Sequence, residues 1–348
     1  MRPRIRQPAT TLAAILLLAA TSTAAEAQEP ESPGPALFQD TALLDIELTG
    51  PLTSVLADAE ARERRPMILR VGGKDLEVDV RVRGNSRLRV CRFAPLRVYF
   101  GDDTAGTPFE GLLSLKLVTH CFDNARGDRN LADEYAAYRV FGVLSPYAYK
   151  TRALRVRYHD TDGKADAPAS VRYAFFLESR RLLAERMGAE RANLTAIRLS
   201  ELARRQAATM YIFQYLIGNT DWSLVTADTD DRCCHNIDLV SRDGRLYTIP
   251  FDFDLAGTVN APYAKPDPSL RIERVTTRRY RGYCIEREHL ADALSDVTAQ
   301  RAAIAAELRQ IPIAEPDQIE DILRYLEPFF RRAEKDEKLL SSFEKRCL

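Results

Sequence analysis

Carboxylates end two apolar stretches of the chain. Asp221 follows a long helical pattern, two positions after Asn219, whereas Asp252 and Asp254 follow a strand pattern. Asp and Asn side chains at strand ends and tight turns direct oxygen ligands at a cation and a carboxylate base at a hydroxyl. Phosphoryl transfer needs both, since one carboxylate serves the acceptor and another serves the metal that holds the phosphates. The two stretches are therefore candidates for the base and the metal ligands of such a site.

Each stretch also has a plainer explanation. Gly218 and Asn219 favour a helix C-cap, in which case Asp221 belongs only to a turn. Asp252 and Asp254 are predicted to share one face of an extended stretch, where like charges repel unless a cation or a donor lies between them. Solvated carboxylates at a strand end are the alternative.

Other polar side chains extend the candidate site. Asn236 begins the strand after the Asp221 loop, where its amide oxygen could join Asp252 in a metal shell or simply cap the strand. Lys116 lies in an apolar strand shortly before a helix that carries Glu134. A strand Lys paired with a helix Glu holds nucleotide phosphates in kinases. Arg81 and Arg83, which share one face of another predicted strand, are further candidates for phosphate contact.

Alternating and helical patterns define the elements that must position these residues. Strands are predicted by period-2 alternation and helices by apolar residues at helical spacing. The first half is strand-rich, with predicted strands at 43–48, 67–71, 76–83, 96–100, 113–118, 153–159 and 171–178 and helices at 52–64 and 131–143. The second half is helix-rich, with predicted helices at 199–217, 287–309 and 316–342 and short strands at 236–240 and 246–250. The sequence predicts an α+β protein with a β-rich N-lobe (43–190) and an α-rich C-lobe (191–348).

The first residues have the pattern of a secretory signal peptide. Three arginines precede an apolar run at 12–20 and a small-residue cleavage pattern at 25–27. The run has roughly half of the ~20 residues that a membrane span needs. We expect cleavage of 1–27 near Ala27-Gln28, export to the periplasm or medium, a disordered Pro-rich lead-in at 28–42, and no membrane span.

Charge and cysteine content narrow the function further. The chain has 50 basic and 50 acidic residues, so it lacks the net positive charge that nucleic-acid-binding proteins use, and no nucleic-acid partner is expected. Its six cysteines are disulfide candidates in an exported protein. We predict a bridge between Cys91 and Cys121, which flank strands of one sheet. A second bridge from Cys233 or Cys234 to Cys284 is the other expectation, with Cys347 free.

Together these residues resemble the CotH-type (spore-coat-protein H) kinase-like family, an atypical relative of protein kinases. The matching segments occur in family order and lie at 82–86, 115–117, 134–135, 175–178, 218–222, 235–236 and 250–254. The specific ones are Gly-Asn-x-Asp at 218–221 and Pro-aromatic-Asp-x-Asp at 250–254. The resemblance implies a two-lobed, atypical protein-kinase-like fold that covers about residues 78–285.

The resemblance also implies roles for individual residues. Asp221 would be the catalytic base, and Asn236 and Asp252 would bind Mg²⁺ or Mn²⁺ with support from Asp254. A nucleotide, with ATP as the expected substrate, would contact Lys116 and Glu134, together with Arg83. The acceptor would be a protein hydroxyl, on a protein substrate or an envelope partner.

One departure from the kinase pattern favours a second hypothesis. The catalytic Asp and metal-binding Asn of kinases are close in sequence, whereas Asp221 and Asn236 are separated by an insertion that carries Asp228, Asp230 and Asp231. If the insertion loops out, the site survives, and its carboxylates could also bind Ca²⁺. If it does not, the chain is a catalytically inactive kinase-fold binding or structural protein of the cell envelope.

Overall fold

The protein has an α+β architecture, with a strand-rich first part and a helical second part. A computed structural model describes residues 32–163, 170–227 and 233–348. The predicted signal peptide and the carboxylates of the insertion lie outside the described residues. In the part of the chain that the model covers, no helix is both long enough and apolar enough to cross a membrane.

Seven strands form a closed barrel. They are β1 (Leu44–Gly50), β2 (Arg65–Val71), β3 (Lys74–Val82), β4 (Leu96–Phe100), β5 (Ser114–Thr119), β6 (Thr151–Asp160) and β7 (Ser170–Leu177). Their spatial order is β1-β2-β3-β4-β5-β7-β6, and a parallel pairing of β1 with β6 closes the barrel. The remaining pairs are antiparallel.

Alternation along each strand separates the barrel interior from its outer face. Val80 and Val82 of β3 are fully buried, while Asp79 and Arg81 between and beside them are only partly covered. Period-2 side-chain geometry requires this separation once the Val residues fill the interior. Except for Lys74 at the start of β3, the charged residues of β3, β4 and β5 therefore lie on the outer face.

The helices and the remaining strands complete the chain. The helices are α1 (Leu52–Ala57), α2 (Arg87–Val90), α3 (Ala125–Leu144), α4 (Arg180–Arg186), α5 (Arg204–Ile217), α6 (Arg287–Ala299), α7 (Arg301–Leu308), α8 (Pro316–Ala333) and α9 (Asp336–Glu344). The later strands are β8 (Glu190–Arg191), β9 (Ser223–Ala227), β10 (Cys233–His235), β11 (Ile237–Arg242) and β12 (Arg245–Pro250). One buried apolar cluster fills the barrel, and a larger one lies among α3, α5 and the later helices.

Several predicted elements differ from the structure. The helical stretches predicted at 287–309 and 316–342 are each divided in two, as α6 and α7 and as α8 and α9. The helix predicted at 52–64 ends at Ala57, because the Asp58 carboxylate accepts backbone N–H groups from Ala61 and Glu63 and turns the chain. The helix predicted at 199–217 begins only at Arg204, after a short 3-10 helix. Within the predicted disordered lead-in, Ala36–Phe38 forms a 3-10 helix whose two last side chains are buried.

The disulfides confirm one predicted bridge and correct the other. Cys91 is bonded to Cys121, as predicted. The predicted bridge from Cys233 or Cys234 to Cys284 is wrong, since Cys233 and Cys234 are bonded to each other and Cys284 is bonded to Cys347. The reason is local: the backbone at 347–348 runs beside 282–284 and exchanges hydrogen bonds with it, so Cys347 is not free.

Candidate active site

The end of α5 positions Asp221. Gly218 terminates the helix in the left-handed conformation, with φ of 69°, which glycine adopts without steric cost. The Asn219 side chain then accepts the Asp221 backbone N–H at 3.0 Å, and its own amide donates to Gln214 Oε1 at 3.0 Å. This is an Asx turn, and it fixes Asp221 relative to the buried helix.

Both carboxylate oxygens of Asp221 have hydrogen-bond partners from beyond the insertion. His235 Nε2 lies 2.9 Å from Oδ1, and Asn236 Nδ2 donates to Oδ2 at 2.9 Å and to the Asp221 backbone oxygen at 2.8 Å. These contacts arise because β9 and β10 pair antiparallel, which brings His235 back beside Ser223, two residues after Asp221. Asp221 and Asn236 are thus adjacent in space although they are 15 residues apart in sequence.

A second hairpin brings Asn236 beside the other carboxylate stretch. In the β11–β12 pair, Ile237 is in register with Pro250. The residues just outside the hairpin therefore meet, and the Phe251 N–H donates to the Asn236 carbonyl at 3.1 Å. Asp252 follows in the left-handed region, with φ of 61°, and its N–H donates to the Tyr138 hydroxyl at 2.9 Å. The metal-binding candidates thus lie at the open end of one hairpin.

One arginine holds the predicted carboxylate pair together. Arg87 Nε donates to Asp254 Oδ2 at 2.9 Å, while its Nη2 lies 2.5 Å from Glu134 Oε2 and 3.6 Å from Asp252 Oδ1. Tyr263 adds a second donor to Asp254 at 3.0 Å. The repulsion expected between the two Asp side chains is therefore relieved by a donor. That donor, Arg87, is not among the candidate residues that the sequence indicates.

Burial governs the electrostatics of this cluster. It raises the pKa of Glu134 to about 7 and also raises the pKa of Asp254, in both cases against the lowering influence of Arg87. Burial lowers the pKa of Arg87, but Asp254 and Glu134 outweigh it and keep the guanidinium charged. Three carboxylates share this one guanidinium, counting the half-exposed Asp252.

Lys116 does not pair with Glu134, and this expected pairing is wrong. Glu134 is taken by Arg87, while Lys116 projects from the outer face of β5, where its Nζ lies 4.8 Å from the centre of the Phe251 ring. Burial, followed by repulsion from Arg83, lowers the pKa of Lys116 to about 8. Burial also lowers the pKa of Arg83, which Asp252 partly opposes. Lys116, Arg83 and Asp252 are thus electrostatic neighbours.

A cleft lies between the barrel and the hairpin. Its volume is about 450 Å³. Lys116 and Arg97 line it from the barrel, and Ile237, Asp238 and Phe251 line it from the hairpin side. Asp238 accepts a hydrogen bond from Tyr149 and lies 3.5 Å from Arg180, so it is already paired. The cleft is therefore rich in positive charge.

Comparisons with known proteins give little further assignment. No family model matches the chain, and no curated protein matches it. Among solved structures, it is similar to the crystal structure of a Helicobacter pylori proinflammatory kinase, CtkA. The sequence identity is 10%, the TM-score is 0.35, and the match covers 82% of this chain and 96% of that one. A likeness at this level assigns neither a fold nor an activity to this chain, so membership of the CotH-type family stays a prediction.

Proposed function

We propose that this protein is an exported, atypical phosphotransferase that moves a phosphoryl group from ATP to a protein hydroxyl. One observation carries the proposal: Asp221 and Asn236, the base and the metal ligand that the sequence implies, are in hydrogen-bond contact at 2.9 Å across the insertion. Activity depends on this junction, because the insertion separates the two residues in sequence. Its geometry supports an intact site.

Asp221 is the proposed general base. Each of its carboxylate oxygens accepts one hydrogen bond, from His235 or Asn236, and a carboxylate offers about four lone-pair positions. One lone pair on each oxygen thus stays available for an acceptor hydroxyl. The side chain is 35% exposed, so an acceptor can reach it, while the Asn219 turn holds it in a fixed orientation for proton removal.

The donor set fits a divalent cation that arrives with phosphates. The Asn236 amide nitrogen faces two acceptors on Asp221, which turns its Oδ1 away from them. Asp252 is 37% exposed and contacts Arg87 only at 3.6 Å. Within the described ranges, no group of three or more His, Cys, Asp or Glu side chains is arranged to hold a metal. Mg²⁺ commonly uses one or two carboxylates plus substrate phosphates, so the residues suit that cation.

Asn236 and Asp252 would hold the cation, and Asp254 would support them through Arg87. A bound cation would neutralise the charge on the transferred phosphoryl group. Lys116 and Arg83 would meet the phosphates from the barrel side, since both are cations near Asp252 and neither forms an ion pair with a carboxylate in the described structure. Glu134 would act indirectly, by fixing Arg87.

Phosphoryl transfer from labelled ATP tests the proposal. Wild-type protein with Mg²⁺ or Mn²⁺ is compared with Asp221→Asn and Asp252→Asn, using autophosphorylation and a mixture of acceptor proteins. Loss of the base or the metal ligand should reduce the rate at least about 100-fold. The control is Asp243→Asn, an exposed carboxylate in the β11–β12 turn. Equal labelling in all four proteins would overturn the proposal.

Calorimetry separates an enzyme from a non-catalytic protein of the same fold. Micromolar binding of ATP with Mg²⁺, weakened by Asp252→Asn, together with metal-dependent transfer supports the enzyme. Binding of neither nucleotide nor metal would favour a binding or structural role in the envelope.

Export is supported by the disulfide bonds at Cys91–Cys121, Cys233–Cys234 and Cys284–Cys347. Such bonds persist in oxidising compartments and are rare in the cytosol. Sequencing of the N-terminus of protein recovered from the periplasm or medium tests this part. A mature protein that begins near Gln28 is expected, whereas an uncleaved cytosolic protein would contradict it.

A further inference from the structure

Three cations lie side by side across the outer face of the barrel. Arg81 of β3 is in register with Arg97 of β4, and Arg97 is in register with Lys116 of β5. Register partners project to the same side of a sheet, and neighbouring strands are ~4.8 Å apart. Like charges directly opposite each other destabilise a sheet. This row, here named the cation ladder, is therefore unfavourable unless something neutralises it.

The described protein does not neutralise the ladder. Arg81 donates to the Tyr99 hydroxyl at 2.8 Å, Arg97 donates to Ser114 Oγ at 3.3 Å, and Lys116 lies over the Phe251 ring. Within the described ranges, none of the three forms an ion pair with a carboxylate, although most arginines on the neighbouring strands do. Burial lowers the pKa of Arg97, and repulsion from Arg81 lowers it further. The second effect is the repulsion expected between neighbours in the ladder.

The ladder continues beyond the cleft. Lys116 and Arg97 line the cleft, whereas Arg81 does not. Past Arg81, the guanidinium of Arg64 stacks 3.6 Å from the centre of the Tyr99 ring, in a separate groove on the outer face. A nucleotide in the cleft can neutralise Lys116, but Arg81 and Arg64 lie outside that cavity. A longer anion is needed to cover the whole row.

The surrounding charges fix the direction of this anion. Asp79 is in register with Tyr99, one row away from the ladder on the same face of β3. An anionic segment that ran along β3 would meet Asp79 and be repelled. A segment that crosses β3, β4 and β5 meets Arg81, Arg97 and Lys116 in turn, and Asp238, which also lines the cleft, is already paired with Arg180. An extended peptide advances ~3.3 Å per residue, so three or four residues span the two strand spacings of the ladder.

We propose that the cation ladder binds a short acidic segment of the acceptor protein, laid across β3, β4 and β5 with one end at the mouth of the cleft. The chemistry is a run of Asp and Glu carboxylates paired with Arg81 and Arg97, while Lys116, at the cleft end of the ladder, is left to the phosphates. The inference rests on the proposed function only in treating that segment as part of the acceptor. The binding itself requires no phosphoryl transfer.

Fluorescence anisotropy with a labelled Glu-rich peptide that contains one serine tests the ladder. Its counterpart with Gln in place of Glu is the neutral probe. The double variant Arg81→Gln, Arg97→Gln should weaken binding of the Glu-rich peptide roughly tenfold at low salt, with a smaller salt dependence. The neutral peptide should bind weakly to both proteins. Arg70→Gln is the matched control, since Arg70 lies on the neighbouring strand but is paired with Asp75 at 2.6 Å.

Several outcomes overturn the inference. Equal affinity of wild type and double variant for the Glu-rich peptide would do so. The single variant Arg81→Gln provides a second test. If it weakens binding of ATP with Mg²⁺ as much as binding of the peptide, the ladder belongs to the nucleotide site. Ladder-dependent binding of a sulfated polysaccharide or of anionic vesicles, without peptide binding, would assign it to another polyanion.

The two proposals fail separately. Peptide binding is measured without nucleotide, so it can persist in a protein that transfers no phosphate, in which case only the proposed function fails. If wild type and double variant both transfer phosphate to the neutral and Glu-rich peptides at the same rate, the proposed function is supported. The proposed role of the cation ladder in binding the acceptor is then contradicted. Thermal unfolding of each variant checks that the barrel is folded.

Discussion

Arg87 donates to two buried carboxylates, and its own side chain is only 8% exposed. Replacing it with Met would leave Glu134 and Asp254 buried without their cation. Breaking a buried ion pair from one side costs about 3–5 kcal/mol. We therefore expect Arg87→Met to lower the free energy of unfolding, measured in urea, by that amount, and to release the segment after β3 from α3.

Lys116→Met is the matched comparison for that prediction. Lys116 has no carboxylate partner within the described ranges, and burial of its charge disfavours the protonated form. Its replacement should leave the unfolding free energy unchanged or increase it at neutral pH. If Lys116→Met destabilised the protein as strongly as Arg87→Met, the pairing of Glu134 with Arg87 would be contradicted.

The pKa of Lys116 also predicts how nucleotide affinity depends on pH. Because that pKa is lowered to about 8, from an ordinary value of 10.5, the ammonium is lost as the pH rises through about 8. Affinity for ATP with Mg²⁺ should be flat below that pH and fall by up to about tenfold per pH unit above it. Calorimetry from about pH 7 to about pH 9 measures this, and the curve should be flat in Lys116→Met.

The same lowered pKa has a consequence for stability, with the opposite sign. Between about pH 8 and 10.5 the unfolded chain binds the Lys116 proton and the folded chain does not. The contribution of Lys116 to the unfolding free energy therefore rises with pH across that window. For the binding prediction, an affinity of the wild type for ATP with Mg²⁺ that does not change with pH would show that Lys116 does not meet the phosphates.

Single residues differ in how far the sequence could predict them. Asp221, Asn236 and the two Asp residues of the second stretch are recognisable, because their motifs are local. The partner of Glu134 was not, since Arg87 reaches it from 47 positions away and reaches Asp254 from 167. Mutual repulsion of Asp252 and Asp254 required a donor, but among 50 Lys and Arg residues the sequence could not select one.

At the scale of elements, the end of α5 determines where Asp221 lies. Gly218 has φ of 69°, and a Cβ there would overlap the Tyr325 hydroxyl and approach the Gly257 Cα to 3.4 Å. Gly218→Ala should therefore cost about 1–2 kcal/mol of unfolding free energy. It should also reduce phosphoryl transfer, because the Asn219 turn begins at the displaced residue.

A glycine inside a helix supplies the control of opposite sign. Gly142 lies near the end of α3, and a Cβ there would meet nothing within 4 Å. Gly142→Ala should stabilise the protein by about 0.5–1 kcal/mol, because alanine loses less conformational entropy in a helix. Urea titrations of both variants measure the pair, and equal effects would mean that the α5 terminus imposes no conformational constraint.

Element prediction succeeded where the pattern was local and failed where a tertiary contact decided. Alternating Val and Leu residues identified the barrel strands, because one face of each strand fills the interior. Closure by the parallel pairing of β1 with β6 was not predictable, since their register partners lie more than 100 positions apart in sequence, as in the pairing of Asp45 with Arg155. The helix end at Ala57 depended on a single carboxylate, Asp58, and no periodicity reports such a contact.

At the scale of the whole molecule, the disulfides link distant parts of the chain to different degrees. Loop-closure entropy predicts that the bond between Cys284 and Cys347, 63 positions apart, contributes about 4 kcal/mol. The bond between Cys91 and Cys121, 30 positions apart, should contribute about 3.5 kcal/mol. The Cys233–Cys234 bond closes almost no loop, so its removal should affect stability least.

Cys347 decides between this connectivity and the one that the sequence favoured. If Cys284 were bonded to Cys234, Cys347→Ser would leave the unfolding free energy unchanged. Because Cys284 is bonded to Cys347, Cys347→Ser and Cys284→Ser should each lower the unfolding free energy, by about 4 kcal/mol, and the double variant should lose no more than either single one. Urea unfolding under non-reducing conditions, with free thiols counted in each variant, measures this. Additive losses in the double variant would mean that the two cysteines act independently, which would contradict a bond between them.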